Sequence, residues 1–281
     1  ITGMRHPIYD AELRYQSVAI EKSSVSRFWI VLATALIIPA FLATVGYFIA
    51  AMLEYRGARL MGTANIRDLE SGVMAIGQVT LVTMNIAQYI VLMMVSYGLT
   101  SNAINRERRT STWDLLLLTQ RRARHIVGGK WAASLQALNG DYGMLTLMRI
   151  GLVCMVLTMQ AVFYPSDALF TRWDVLAVCG LMAVMSLLDA MFNTAAALFG
   201  VLMHQTAVQS ALIFLVLRLG GLVFVVWWFI NTIQLLVTRG AGDDWRYIWF
   251  SFACISSYSI TIWGVLKLCE ITAVYQAQAS S

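Results

Sequence analysis

The sequence has few charged residues and few prolines. Only 12% of its 281 residues are charged and 59% are hydrophobic, whereas a soluble domain carries about 25% charged residues. A soluble chain of this length could not bury so much apolar surface, because part of every protein surface faces water. Three prolines leave long helices almost uninterrupted. The composition therefore predicts an all-α integral membrane protein with a single transmembrane domain over residues 1–281.

Histidines and cysteines are too few and too scattered to predict a catalytic or metal centre. The four cysteines lie in apolar stretches without a CxxC pair, which argues against a zinc site or a disulfide framework. None of the three histidines lies in the middle of an apolar run, so haem ligation in a redox subunit is disfavoured. No GxxxxGK motif followed by Ser or Thr occurs. We therefore expect a non-catalytic chain that hydrolyses no ATP itself and binds no cofactor or metal.

Six apolar runs are long enough to cross a bilayer. A hydrocarbon core of about 30 Å needs about 20 apolar residues in a helix, and a helix satisfies its own backbone polar groups inside lipid. The predicted transmembrane helices cover residues 28–53, 73–99, 142–163, 175–202, 207–237 and 247–266. Residues 8–24 are more polar and predict an N-terminal interfacial helix. Its Leu13 and Val18 are expected on the membrane, and its Glu12 and Arg14 in water.

Lysine and arginine residues are distributed unevenly between the two sides of this predicted domain. The N-terminal segment, the loop between spans two and three, and Lys267 hold twelve of them, and the other connections hold six. Because basic loops stay in the cytoplasm, both termini and the long loop are expected to be cytoplasmic. Lipid headgroups then account for the net charge of +5 without nucleic acid. The expected location is the bacterial plasma (inner) membrane.

Four polar residues stand out inside the apolar spans. Asp189 and Arg218 lie about equally far from the inner ends of spans four and five, so we predict that they form an ion pair. Asn193 lies one turn from Asp189 on the same helix face. Arg149 is expected nearer the cytoplasmic side, where its side chain would snorkel to water. The sequence leaves open whether the Asp189–Arg218 pair is structural or contacts a substrate.

The segment 105–130 carries the most specific pattern in the chain. It reads NRERRTSTWDLLLLTQRRARHIVGGK. Thr112 is suited to cap a helix that starts with Trp113 and Asp114, because an acidic first turn favours the helix dipole. The four leucines that follow make this helix too apolar for a free loop, and it is too short to span a membrane. We expect it to lie at the interface and to pack against another protein.

This segment resembles the loop between spans two and three in permease subunits of type-2, exporter-type ABC transporters. That loop commonly reads E-R-x-x-G-T-W-E-L-L-L-x-T-P, followed after a gap by I-x-x-G-K. Asp114 stands in for the family's glutamate, whereas Ser111 and Gln120 replace its glycine and proline and put the turns at the two ends of the helix in question. The matching residues are Glu107, Arg108, Thr112, Trp113, Leu115, Leu116, Leu117, Thr119, Ile126, Gly129 and Lys130.

The resemblance implies a permease subunit of an ATP-driven exporter. In this family a coupling helix in that loop docks on a separate cytoplasmic ABC ATPase subunit, which binds ATP and Mg²⁺, and transmits its closure to the spans. Two permeases, as a homodimer or a heterodimer, work with two ATPases. The coupling surface is expected to contain Glu107, Arg108, Thr112, Trp113, Asp114 and Leu116. The alternative is a non-transporting membrane assembly subunit of a larger complex, which would keep the same helix.

Overall fold

The computed structural model is helical throughout the part of the chain that it describes. It describes residues 7–22, 37–49, 51, 64–110, 123–163, 171–203, 206–237 and 245–279, and none of these forms a strand. The helices of this part are α1 (Pro7–Lys22), α2 (Ile37–Ile49), α3 (Ala64–Arg109), α4 (Ala123–Ala137), α5 (Asn139–Phe163), α6 (Arg172–Met203), α7 (Ala207–Val237) and α8 (Arg246–Ala279).

Five helices, α3 and α5 to α8, are long and apolar enough to cross a membrane. They contain the predicted spans two to six, so the all-α architecture and these five candidate spans are confirmed. The first predicted span, 28–53, is represented by the shorter apolar helix α2. The rest of that span lies outside the described residues, apart from residue 51. Six spans and the sidedness of the termini stay predictions.

Two of the helices continue well past the ends of the predicted spans. Helix α3 has 46 residues and ends at Arg109, although its apolar run ends near residue 99. Helix α8 has 34 residues and continues beyond Lys267 to Ala279. Hydropathy marks where apolar surface ends, whereas a helix ends where its backbone hydrogen bonds end. The extra turns at the end of α3 carry the charged residues 106–109 away from the apolar run.

Helix α6 lies at the centre of the bundle. It packs against α3, α4, α5, α7 and α8. Ala195, Ala196 and Ala197 are fully buried, and small residues of this kind let helices approach each other closely inside a membrane. At Gly200, an added Cβ would lie only 2.6 Å from the backbone oxygen of Ser210 in α7. The small residues of α6 therefore make room for its neighbours.

A capping box fixes the N-terminus of α6. The Asp174 carboxylate accepts a hydrogen bond from the backbone N–H of Thr171 at 2.6 Å, and the Thr171 hydroxyl accepts one from the backbone N–H of Asp174 at 3.4 Å. This reciprocal pattern satisfies N–H groups that a helix start leaves without partners. The Tyr247 hydroxyl at the start of α8 also donates to Asp174 Oδ1 at 2.8 Å. One carboxylate thus caps α6 and joins it to α8.

Helix α1 packs against α4, which continues into α5 through Leu138 alone. Pro7 occupies the first position of α1, where its missing N–H costs nothing. Val18 is 45% exposed, and the location of α1 at the membrane interface stays a prediction. The expectation that Glu12 faces water is wrong, because Glu12 is only 3% exposed. Its carboxylate turns inward because Lys130 of α4 and Arg106 of α3 lie beside it.

Candidate functional site

A group of polar side chains meets halfway along α6, far from both of its ends. Asp189 lies 17 residues after Arg172 and 14 before Met203, which corresponds to about 25 and 21 Å along the helix axis. Its partners come from three neighbouring helices: Arg149 from α5, Arg218 from α7 and Tyr258 from α8. We call these four residues, together with Tyr89 of α3, the Asp189 cluster.

Arg218 binds both oxygens of Asp189, which is the ion pair that the sequence predicts. Arg218 Nη1 donates to Oδ1 at 2.5 Å and Nη2 donates to Oδ2 at 2.8 Å. Parallel bonds of this kind, from a planar guanidinium to a carboxylate, are the strongest geometry that an ion pair adopts. Both side chains are 3% exposed. The equal depths read from the sequence were sufficient to find this pair.

Arg149 belongs to the same cluster, and the expectation that it snorkels to water is wrong. Its Nη2 donates to Asp189 Oδ2 at 2.7 Å, and its Nη1 donates to the Ser186 hydroxyl at 3.3 Å. Its side chain is 8% exposed. A buried carboxylate within hydrogen-bond distance satisfies the guanidinium without access to water. The position of Arg149 along its span predicted a side chain near the cytoplasm. Such a prediction does not consider how far an arginine side chain reaches toward a neighbouring helix.

Two tyrosines that the sequence analysis did not single out complete the cluster. The Tyr258 hydroxyl donates to Asp189 Oδ1 at 3.2 Å. The ring of Tyr89 lies against both arginines, with its centroid 4.6 Å from Arg218 Cζ and 5.6 Å from Arg149 Cζ. A cation beside an aromatic face is attracted by the ring quadrupole. Neutral tyrosines in an apolar helix gave no distinguishing sequence signal, because membrane helices commonly carry them.

Asn193 lies near the cluster but contacts a different partner. Its Nδ2 donates to the Tyr142 hydroxyl of α5 at 2.7 Å. A further amide, Asn85 of α3, donates to the Met148 carbonyl of α5 at 3.2 Å. Both bonds connect neighbouring helices one layer away from Asp189. The structure therefore brings together Arg149, Asp189 and Arg218 from the predicted intramembrane set, and places Asn193 beside them as an interhelical contact.

The Asp189 cluster carries an excess of positive charge. Two guanidinium groups face one carboxylate, and neither arginine contacts a second acidic side chain among the described residues. The other members, Tyr89 and Tyr258, are neutral, and so is Ser186, to which Arg149 also donates. The buried charge therefore sums to +1. An uncompensated charge in a low-dielectric interior is costly, so this is the feature of the bundle interior that most needs a functional explanation.

A second charged group, the Lys130 cluster, lies where α3 ends and α4 begins, and its charges balance. Lys130 Nζ donates to Glu107 Oε1 at 2.7 Å and to Glu12 Oε2 at 3.3 Å. Arg106 Nη2 donates to the same Glu12 oxygen at 3.1 Å. Two carboxylates and two cations therefore sum to zero. Lys130 is 2% exposed, and its burial among opposite charges holds α1, α3 and α4 together.

The predicted coupling residues divide into two groups. Glu107 and Arg108 belong to the last turn of α3 and are engaged within the chain itself. Arg108 donates to the carbonyls of Val201 and Leu202 at 3.2 and 3.4 Å. These carbonyls are at the C-terminal end of α6, where the negative end of the helix dipole stabilises a cation. The remaining predicted residues lie outside the described part of the chain, so their surroundings stay a prediction: Thr112, Trp113, Asp114 and Leu116.

Comparison with known proteins found no matching family model, no matching curated protein and no matching solved structure. The resemblance of the 105–130 segment to ABC exporter permeases therefore stays a prediction from that motif.

Proposed function

We propose that this chain is the transmembrane permease subunit of an ATP-driven ABC exporter. The observation that carries the proposal is the Glu107–Lys130 ion pair, whose atoms lie 2.7 Å apart. Glu107 in α3 and Lys130 in α4 flank residues 111–122, which we call the motif segment, so the chain before this segment and the chain after it are held together at one point. A docking element for a partner needs such an arrangement, because two fixed ends transmit a displacement that a free loop would absorb.

The anchored ends are connected to the centre of the bundle. Arg108 binds the last carbonyls of α6, and α6 carries Asp189 at its middle. Trp131 of α4 donates its indole N–H to the Met191 carbonyl, also in α6, at 3.2 Å. Movement at the motif segment would therefore act directly on the helix that holds the buried ion pairs. This supports a role in which an external motor drives rearrangement of the bundle.

The proposed complex contains two permeases and two cytoplasmic ABC ATPase subunits, which bind ATP and Mg²⁺. We assign direct contact with the ATPase to Thr112, Trp113, Asp114 and Leu116. Glu107 and Arg108 have the supporting role of anchoring the segment, since both are bound within the chain. In this proposal the chain crosses the bacterial inner membrane six times, with the motif segment and both termini in the cytoplasm.

Co-purification tests the proposal. The tagged chain is extracted in mild detergent and the recovered proteins are identified for the wild type and for Trp113→Ala combined with Asp114→Lys. We expect a Walker-motif ATPase with the wild type and its loss in the double variant. Trp249→Ala is the matched control, because Trp249 is a 73% exposed tryptophan of α8 outside the motif. That control is expected to retain the ATPase.

Two outcomes would overturn the proposal. Recovery of no ATPase under several mild conditions would favour the non-transporting assembly subunit, and recovery of redox subunits would place the chain in another class of complex. An ATPase that binds the double variant as well as the wild type would remove the motif segment from the interface. Gel filtration of each variant shows whether it is folded, so that loss of binding is not confused with loss of the protein.

A further inference from the structure

We propose that the Asp189 cluster binds an oxoanion group, either the phosphate of a lipid headgroup or a free inorganic oxoanion. Two buried guanidinium groups and one carboxylate leave a charge of +1 at the middle of α6. One anionic group would neutralise it. The proposal goes beyond the ATPase partner and does not depend on it, because the site is formed by this chain alone.

The cluster also contains donors that no group in the structure satisfies. Arg218 Nε and the Tyr89 hydroxyl are both buried, and neither has a hydrogen-bond partner among the described residues. They belong to one place, since the Tyr89 ring centroid lies 4.6 Å from Arg218 Cζ. Buried polar groups are nearly always paired, and unpaired donors indicate a missing acceptor. An oxoanion supplies several acceptor oxygens as well as the charge.

The other cluster shows that this imbalance is specific. In the Lys130 cluster, two carboxylates face two cations, of which Arg106 is 33% exposed, and the four charges cancel. The same chain therefore balances the charges of one cluster at the end of the bundle and leaves those of the other unbalanced at the middle. The extra guanidinium of Arg149 makes the difference, because Asp189 and Arg218 alone would form a neutral pair.

The exposed surface of the bundle comes close to the site, because Tyr89 itself is only partly buried. Ile90, the neighbour of Tyr89 in α3, is 43% exposed, and Leu219, the neighbour of Arg218 in α7, is 50% exposed. Tyr89 reaches from α3 to a guanidinium of α7, so the cluster lies between these two helices. An anionic group therefore has a short lateral route to it, and the position halfway along α6 suits a group in passage across the membrane.

Thermal unfolding of the purified chain, without any ATPase, tests the proposal. In neutral detergent, the unfolding midpoint is followed by tryptophan fluorescence with added phosphatidylglycerol, phosphatidylcholine or sodium sulfate, and with sodium chloride at matched ionic strength. Ligand binding to the folded state raises the midpoint, by roughly 5 °C at a hundredfold excess over Kd. A shift with phosphatidylglycerol alone identifies a lipid headgroup. A shift with sulfate as well identifies a site that accepts a free oxoanion.

The variants separate this site from general charge effects. Arg149→Gln makes the cluster neutral and is expected to lose the shift, whereas Arg149→Lys keeps the charge and most of the shift. Arg109→Gln removes the same charge from an exposed position. Its unfolding midpoint should rise with the added anion as much as that of the wild type. Tyr89→Phe removes an unpaired hydroxyl and should reduce the shift. Tyr247→Phe removes a buried hydroxyl outside the cluster, which donates to Asp174, and should leave the shift intact.

The proposal is overturned if no anion raises the wild-type midpoint above the chloride control. It is equally overturned if Arg149→Gln and Tyr89→Phe shift as much as the wild type, since the anion then binds elsewhere. Should Arg149→Gln fail to fold, the comparison of Tyr89→Phe with Tyr247→Phe still decides. None of these results bears on ATPase recovery, so failure here and failure of the proposed function are distinguishable.

Discussion

Arg218 holds Asp189 by two parallel hydrogen bonds, at 2.5 and 2.8 Å, inside the helix bundle. Arg149 reaches the same carboxylate from a third helix at 2.7 Å. A single carboxylate therefore joins α5, α6 and α7, and its loss would leave two cations without a counter-charge. A substitution of Asp189 should therefore be strongly destabilising.

Asp189→Asn is expected to destabilise the folded protein by about 3–5 kcal/mol, because removing one partner of a buried pair leaves an uncompensated charge. The measurement is the free energy of unfolding, or the shift in thermal midpoint, in detergent. Asp141→Asn is the control, since it removes a carboxylate from an exposed position in the first turn of α5. It should cost about 0.3–1 kcal/mol, the usual helix-dipole contribution. Equal effects of the two substitutions would contradict the cluster.

A charge swap of Asp189 and Arg218 is expected to fail, even though the two residues are paired. The swapped variant would place an arginine at position 189, directly beside Arg149, which now donates to that position at 2.7 Å. Like charges at this distance repel strongly in a buried site. The swap combined with Arg149→Gln removes the repulsion and should recover part of the stability lost in the swap. Equal stability of the swapped variants with and without Arg149→Gln would contradict this explanation.

Gly221→Ala is expected to destabilise the bundle by roughly 1–3 kcal/mol through overpacking. Its Cβ would lie 2.6 Å from Phe192 Cε1 and 3.0 Å from the Tyr258 hydroxyl. The neighbouring Gly220 has open space where a Cβ would be added, so Gly220→Ala should be neutral or stabilising by up to about 1 kcal/mol. The thermal midpoints of the two variants decide. A Gly221→Ala midpoint equal to that of Gly220→Ala would show that α7 can shift without cost.

The sequence predicts axial position in this bundle better than it predicts which residues touch. Long apolar runs place five helices, and equal depths find the Asp189–Arg218 pair. Depth does not specify rotation about the helix axis, however, so it cannot tell whether Arg149 faces Asp189 or lipid. The same limit explains the error at Glu12, which a polar helix face placed in water. Its carboxylate is buried because Lys130 approaches from a helix 118 residues away.

The hydrogen bond between Tyr247 and Asp174 predicts that Asp174→Ala lowers the free energy of unfolding more than Tyr247→Phe does. Tyr247→Phe removes the hydroxyl that donates to Asp174 Oδ1 at 2.8 Å and should cost about 1 kcal/mol. Asp174→Ala removes that bond and the cap of α6 as well, and should cost about 1 kcal/mol more. Unfolding free energies of the single variants and of the double variant test this. The double variant should match Asp174→Ala, because both changes remove the same bond; an additive double variant would contradict the contact.

Lys130→Met is expected to release α1 from the bundle. The substitution leaves Glu12 and Glu107 with Arg106 as the only cation of the Lys130 cluster, and the net charge of the cluster changes from zero to −1. Breaking a buried pair in this way costs about 3–5 kcal/mol. Because the Glu12–Lys130 pair connects α1 to α4, amide hydrogen exchange in α1 should become faster. The centre of α6 should keep its protection.

Lys267→Met is the matched control for this release. Lys267 pairs with Glu270 on one face of α8, at 2.6 Å and with 47% and 24% of the two side chains exposed. Exposed pairs of this kind contribute about 0.2–1 kcal/mol, so α1 should exchange as in the wild type. If Lys130→Met left the exchange of α1 unchanged, the cluster would not hold α1 in place.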